Sequence, residues 1–573
     1  MRARTAIAAA VIGAVVLAST GRVAATPRRV NYVSRMWSTS EFPERTRTNK
    51  PADMGVVFSG GGTRSAAAAL GQLRALRDAT WLDRVGYISA VSGGSWTAVP
   101  FTFTDKHVDD RLIGPQLAFE ALTSDSLNAT LDGSLAQAIS TSKLITCITF
   151  ETSRILGLVP PEAAKIFSQA IGRCPSGDSD SGTYSRLLSS VFLRTTTDLG
   201  ASNLMAWDRE QLNDILDVNP NLQASRFTLA GEGRPFLIAN AVVIRDLPDG
   251  RELVPIEMTP YYTGVRRYRS AIGGTYMWSW AFDSQDAATP YGDSGYVRVV
   301  TSAESVGLTP ADMMASSGAA PLLQILSRVP AQAADRIAAY FPHFSHVTVN
   351  DGRVEARPNL LHGDGGFMDN VGVMPLLARE VHNILVFLNT KDPLTGYDDL
   401  APYFRRPGGA ADPAGKVHNV VFSRDAEGHD VYEDLLATFK AQLSKGRGVV
   451  YCGRNWIVLP NETYGIRGYN GLNICFVYNY HSTGWWDHLP PLVQSQVVRP
   501  DVSYFTGERQ SPPGAGDFKD FPWYKTFFEN GPAVVYLRAP QVNLLAHMSC
   551  WTVMDQRKYI EEYLPPLKTT MPP

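Results

Sequence analysis

The chain has 573 residues, of which 44% are hydrophobic and 19% charged, too apolar for a disordered polymer and too mixed for a fibrous one. Its 53 Lys and Arg stand against 55 Asp and Glu, a formal charge of −2 that offers no basic excess for neutralising phosphates, so nucleic acid is not an expected partner. The length exceeds that of an ordinary domain and predicts one large elaborated domain or two to three smaller ones.

At the start of the chain, Arg2 and Arg4 precede a charge-free run from Thr5 to Thr20, and Val23-Ala24-Ala25 supplies small residues for cleavage. Residues 1–25 read as a signal peptide, because an apolar core of about thirteen residues falls short of the roughly 20 that span a bilayer. The mature chain is expected to be soluble and secreted or otherwise extracytoplasmic. Met54 to Phe58 is a short apolar run that stops at Ser59-Gly60-Gly61-Gly62, as a buried strand entering a tight turn does. From Thr63 to Ala79, the residues Ala67, Leu70, Leu73 and Leu76 separate from Arg74 and Arg77 onto two faces of an amphipathic helix. A second strand, Tyr87 to Val91, stops at Ser92-Gly93-Gly94. Strand, glycine turn, helix and strand together open a parallel α/β sheet. Residues from about 104 to 240 carry no sharp pattern and are expected to add helices. Asn359 to His362 and Ile384 to Leu388 are further buried strands flanking Asp364-Gly365-Gly366. Residues 401–573, rich in Trp, Tyr, Pro and Gly, form an elaboration or a small second domain.

Five cysteines leave at least one without a partner; sequence-local pairing would join Cys147 to Cys174 and Cys452 to Cys475, with Cys550 left over. Asn128-Ala129-Thr130 and Asn461-Glu462-Thr463 are glycosylation sequons. No Cys/His cluster has zinc spacing and no Asp-rich loop has calcium spacing, so neither a metal nor any other cofactor is expected.

A glycine run between a strand and a helix presents backbone N–H groups at a positive helix end, a place for an anion. A phosphate loop would end in Gly-Lys-Ser/Thr, whereas this one runs Gly62-Thr63-Arg64-Ser65, and a dinucleotide fingerprint would carry a third glycine where Ser65 stands. An oxyanion site for acyl transfer survives that comparison, beside a turn that serves packing alone. Ala90-Val91-Ser92-Gly93-Gly94 places a serine at the apex of a strand-to-helix turn, with Ala90 where the usual elbow has glycine. A serine needs a base, and Asp364 follows the apolar Leu360-Leu361 at a strand end. Asp369, before Asn370 and an apolar run, reads instead as a helix N-cap.

Gly60-Gly61-Gly62-Thr63-Arg64, Ala90-Val91-Ser92-Gly93-Gly94 and Asp364-Gly365-Gly366, in that order, resemble the three signature blocks of the patatin-like and group IV cytosolic phospholipases. The segment Ile256 to Gly264 is similar to one that these enzymes and the phospholipase B proteins carry between Ser and Asp, and Ala315 to Pro321 resembles the patatin block ahead of the Asp. The resemblance implies a three-layer α/β/α fold with a mostly parallel sheet, a catalytic domain over 51–400 with an insertion at about 104–240, and a Ser92–Asp364 dyad that cleaves acyl esters of glycerolipids. It implies an oxyanion hole at Gly60, Gly61 and Gly62, with Arg64 supporting the phosphate or the oxyanion. The partners it implies are a lipid substrate and, transiently, a membrane or micelle surface. Trp485-Trp486, Trp278, Trp280 and Phe527-Phe528 either meet that surface or belong to the core. Two rivals stay open. One is an α/β-hydrolase triad drawing on His418, His481, His488 or His547, all downstream of Asp364; the other is a secreted lipid-binding protein without catalysis.

Overall fold

The computed structural model describes residues 29–39, 41–47, 54–140, 182–197, 199–247, 250–266, 272–284, 290–291, 295–302, 307–320, 338–350, 353–394, 400–404, 419–525 and 537–566. The segment 1–25, the Cys147/Cys174 pair, Pro321, His418 and Phe527-Phe528 lie outside them.

The elements that build the site are β1 (Arg29–Ser38), β2 (Met54–Phe58), α1 (Gly62–Asp78), β3 (Val85–Val91), α2 (Gly93–Thr102), β4 (Phe236–Leu247), β5 (Gly250–Met258), α3 (Pro310–Ser317), β6 (His343–Asn350), β7 (Arg353–Asp364), β8 (Asn383–Leu388), β9 (Val450–Val458), β10 (Tyr469–Tyr478) and α4 (Ala539–Asp555). Strands β4, β3, β2, β8 and β10 lie side by side in that order, all parallel. Parallel strands need both faces covered, and every residue of β2, β3 and β8 is buried, with helices on both sides of the sheet. Antiparallel wings extend the sheet on each flank, through β5 toward β1 on one side and through β9 on the other. The chain is therefore an α/β protein with a mixed sheet whose parallel centre carries the glycine turns.

The sheet runs on without a break into residues 401–573, because β10 pairs with β8 and β9 with β10. Cys452 and Cys475 face each other across β9 and β10 and are joined by a disulfide, while Cys550 is free and buried in α4. Helix α1 departs from its amphipathic reading: Gly62 to Leu76 are all buried. Helix α4 covers it, approaching so closely that a Cβ on Gly71 would lie 2.0 Å from the Ala546 carbonyl oxygen. Arg74 is buried with it and donates from Nε to the Ile113 carbonyl at 2.7 Å. Trp278, Trp280 and Trp485 belong to the core, and Trp486 is half-buried with its indole N–H on the Val497 carbonyl. Asn128 is exposed, whereas Asn461 is buried and makes a poor glycan acceptor. Among the described residues no helix is long and apolar enough to cross a membrane.

Candidate active site

Strand β3 ends at Val91, and Ser92 follows with φ of 52° and ψ of −125°, outside the usual regions for a residue with a side chain. Close packing holds it there. A Cβ on Gly93 would fall 1.8 Å from the Gly62 carbonyl oxygen, and one on Gly94 would fall 2.6 Å from that of Phe58. Only glycines let α2 start this close to the first glycine turn. The Ser92 N–H donates to Ser317 Oγ at 3.0 Å, and the Ser92 carbonyl accepts from the Ser95 N–H and hydroxyl. Ala90, at the place where the usual elbow has glycine, fits within the sheet, paired with Phe58 and Ala239. Sequence reading puts the Ser92 hydroxyl at an exposed apex; in the structure the residue is 4% exposed.

The glycine turn brings Gly61 at φ 143° and Gly62 at φ 58° to the start of the 17-residue α1. The Gly60 N–H donates to the Asn370 carbonyl at 2.9 Å, so it is engaged within the protein and is not a donor offered to an oxyanion. Arg64 is buried, with Nε on the Asn389 carbonyl (3.0 Å) and Nη1 on the Tyr524 carbonyl (2.6 Å). Its Nη2 lies against Gly61, where a Cβ would come within 2.6 Å of it. The guanidinium thus ties the turn to the end of β8 and to the C-terminal part of the chain. Asn389 fixes the same turn from below: its N–H donates to Ser59 Oγ (2.8 Å), its Nδ2 to Ser65 Oγ (3.1 Å), and its Oδ1 accepts from Gln72 (2.7 Å).

Asp364 reaches this place by sheet register. Strand β3 runs along β4 from Phe236 to Asn240, with Val91 opposite Asn240, and β7 runs antiparallel along the same edge from Ile244 to Ala241, with Asp364 opposite Ala241. The two strands meet end to end, so the last residue of β7 and the residue after β3 fall at adjacent steps of one ladder. Burial pushes the Asp364 carboxyl up to about 7, against the opposing pull of the Ser92 hydroxyl and the Gly366 and Ala320 N–H groups. Oδ1 accepts the Gly366 N–H at 2.7 Å, whereas Oδ2 is buried without a hydrogen-bond partner. The Ser92 hydroxyl lies near enough to favour the carboxylate form.

Asp369 does not stand at an N-cap. It ends a short helix over Gly366–Asp369, and the next helix, Met374–Ala378, has Val373 at that position. Its buried carboxylate accepts from the N–H groups of Gly372 (2.7 Å) and Met374 (3.0 Å) and from the Tyr403 hydroxyl, bracing the turn that follows Asp364. Asn370, which sequence reading gave no part in the site, lies half-buried between Gly60 and Gly366. Its signal is only its place, six residues after Asp364.

The remaining blocks are supports. Ser317 holds the elbow, and the Gly318 carbonyl accepts the Tyr184 hydroxyl at 2.8 Å. In the segment from Ile256 to Gly264, Glu257 accepts two bonds from Arg379, which also bonds Glu44 at 2.8 Å. Burial raises the Glu257 carboxyl and the Arg379 charge more than offsets it, so the group titrates below its ordinary range.

Of the histidines proposed for a triad, the three that are described, His481, His488 and His547, are engaged elsewhere. His481 bonds the Val498 carbonyl (2.8 Å), His488 bonds the Gly484 carbonyl, and His547 lies between the Trp485 indole N–H (3.0 Å) and the Leu117 carbonyl (3.1 Å). Burial lowers both His481 and His547 to about 4. A pair that sequence reading missed, His346 and His362, meets Nε2 to Nε2 at 3.0 Å beneath β6 and β7. Burial lowers His346 to about 3 and holds His362 well below its ordinary range, so both are neutral; alternation of His with Phe344 and Leu360 on two paired strands was their only trace in the sequence. Among the described residues no group of three His, Cys, Asp or Glu is placed to hold a metal ion.

No family model matches the chain, and no curated protein matches it. Among solved structures, human GIVD cytosolic phospholipase A2 is 12% identical over 89% of this chain, with a TM-score of 0.46. The same enzyme with methyl gamma-linolenyl fluorophosphonate is 13% identical over 89%, with a TM-score of 0.41. VipD from Legionella pneumophila is 14% identical over 62%, with a TM-score of 0.18. The chain spans 62% and 58% of the lengths of the two human structures and 51% of VipD. The α/β assignment stands on the strand order and register of this chain itself.

Proposed function

We infer that the chain is a lipid acyl hydrolase acting through Ser92 and Asp364. One observation carries the reading: two strands end head to head on a single edge of β4 and bring a strained serine, a buried carboxyl and a glycine turn at a helix start to one place. In the reaction, Ser92 Oγ bonds to the ester carbonyl carbon as its proton passes to the Asp364 carboxylate, and the carbonyl electrons become an oxyanion at the Gly61 and Gly62 N–H groups. Collapse breaks the bond to the alcohol, which takes the proton from Asp364. Water then attacks the acyl-enzyme, gives its proton to Asp364, and releases the fatty acid as Ser92 recovers its hydrogen.

The lipid substrate class comes from the resemblance of the three glycine-bearing blocks. Export of the mature chain is part of the same reading, supported by the residues of the first segment and by a cross-strand disulfide of the kind that persists in oxidising compartments. The test is incubation of the protein and its Ser92→Ala variant with a panel of phospholipids, lysophospholipids and acylglycerols, with released fatty acids identified by mass. Release by the wild type alone is the expected result. Equal release by both, or none by either, rejects the reading.

A further inference from the structure

We propose that Asn370 is a positioning residue that clasps the oxyanion turn to the strand bearing the base, an inference that rests on the acyl-hydrolase reading. Three contacts point to it. The Asn370 carbonyl accepts the Gly60 N–H at 2.9 Å. Its side-chain Oδ1 is the atom nearest to a Cβ placed on Gly60, at 2.0 Å, and also the nearest to one placed on Gly366, at 2.6 Å. At that Gly366 position Asp364 Oδ1 lies at 3.0 Å, and at the Gly60 position Ser92 Cβ lies at 3.4 Å. One amide therefore fills the space that two glycines leave open, with the nucleophile on one side and the base on the other.

The clasp is anchored from the β7 side. Asp369, the preceding residue, is fixed by the Tyr403 hydroxyl and by the Gly372 and Met374 N–H groups, so the Asn370 peptide has little freedom. Engaging Gly60 from this fixed point sets the peptide planes of the turn that runs on through Gly61 and Gly62 into α1. A neutral amide suits the place, since a carboxylate there would stand beside Asp364 and repel its charged form. Displacement of catalytic donors by about 1 Å is enough to cost on the order of 10²-fold in rate.

The experiment compares wild type, Asn370→Ala and Asn370→Asp on a monomeric soluble ester, with kcat, KM and the pH–rate profile measured for each and Ser92→Ala as the blank. Asn370→Ala is expected to lower kcat about 10²-fold with little change in KM and an unchanged midpoint of the pH profile, because the surroundings of Asp364 persist. Asn370→Asp, nearly isosteric, is expected to move that midpoint upward. A kcat within about twofold of wild type for Asn370→Ala overturns the inference, as does a shifted midpoint in that variant, which would assign Asn370 to the base rather than the turn. Should Asn370→Ala fail to fold, an unmoved midpoint in Asn370→Asp overturns it by itself. A wild type no faster than the Ser92→Ala blank removes the hydrolase reading and this inference with it, whereas an active wild type with normal Asn370 variants removes the inference alone.

Discussion

The Ser92 turn after β3 takes its backbone shape mainly from the glycines beside it, with Ser317 holding its N–H from a distance, whereas the Asp364 end of β7 is placed by distant parts of the chain. Ser92 owes its backbone geometry to Gly93 and Gly94, which let α2 begin against the turn at Gly60 to Gly62. Asp364 owes its place to a ladder with β4 and its raised pKa to burial. Ser92 is thus shaped mainly by nearby backbone, and the Asp364 carboxyl by its environment. Variants at the two tips are expected to fail in different ways.

The largest effect after loss of the nucleophile itself is expected from Asp364→Asn. It removes the proton acceptor and should lower kcat on the order of 10²- to 10⁴-fold. Its stability should change in the opposite sense. The folded carboxyl titrates at about 7 against an ordinary value of 3.8, so the stability it contributes is fully present below 3.8 and is lost as pH rises to about 7. The melting temperature of Asp364→Asn should therefore gain on that of the wild type between pH 4 and pH 8, as differential scanning calorimetry will show. A gap that stays constant with pH would place Asp364 in water.

The pH profile of the wild type sharpens the same contrast. On a soluble ester the rate should rise with pH through a midpoint of about 7, because only the carboxylate accepts the Ser92 proton. A midpoint near 4 would mean a solvated base.

A smaller effect is expected at the brace behind the base. Asp369→Asn disturbs the buried hydrogen bonds from Gly372, Met374 and Tyr403 and should cost roughly 1–3 kcal/mol in denaturant unfolding, with a far milder loss of rate than at Asp364. A loss of rate as great as that of Asp364→Asn would move the base to Asp369. No effect is expected from excess chelator on a soluble ester: the proton goes to Asp364 and the oxyanion to backbone N–H groups, leaving no charge for a metal to neutralise. Activity lost in chelator and restored by calcium would reveal a metal site.

What sequence could read follows from the same division. The apolar runs before Ser59 and Ser92 are short, continuous and cut by glycine, so the parallel strands and the helix between them were legible to within two residues at most boundaries. The strand end at Asp364 was legible too, although β7 begins at Arg353, where charged residues hide the pattern. Contacts made across long separations left no local mark. Helix α1 has an amphipathic pattern and yet is buried by α4, whose residues lie hundreds of positions away. The extension of the sheet by β9 and β10 falls in residues 401–573, read from sequence as an elaboration or a small second domain, and its pairing with β8 left no local mark for the same reason. Asp369 illustrates a different failure: an Asp before an apolar run suits a cap, and the structure uses its carboxylate one turn earlier to hold a loop.

The most direct test of the central claim is the site of covalent capture by an alkyl fluorophosphonate, which reacts with an activated serine and leaves the phosphonyl group on its oxygen. One adduct is expected, mapped by mass spectrometry to Ser92, formed rapidly by the wild type and far more slowly by Asp364→Asn. An adduct on another serine, or hydrolysis by protein whose Ser92 stays unmodified, would contradict it.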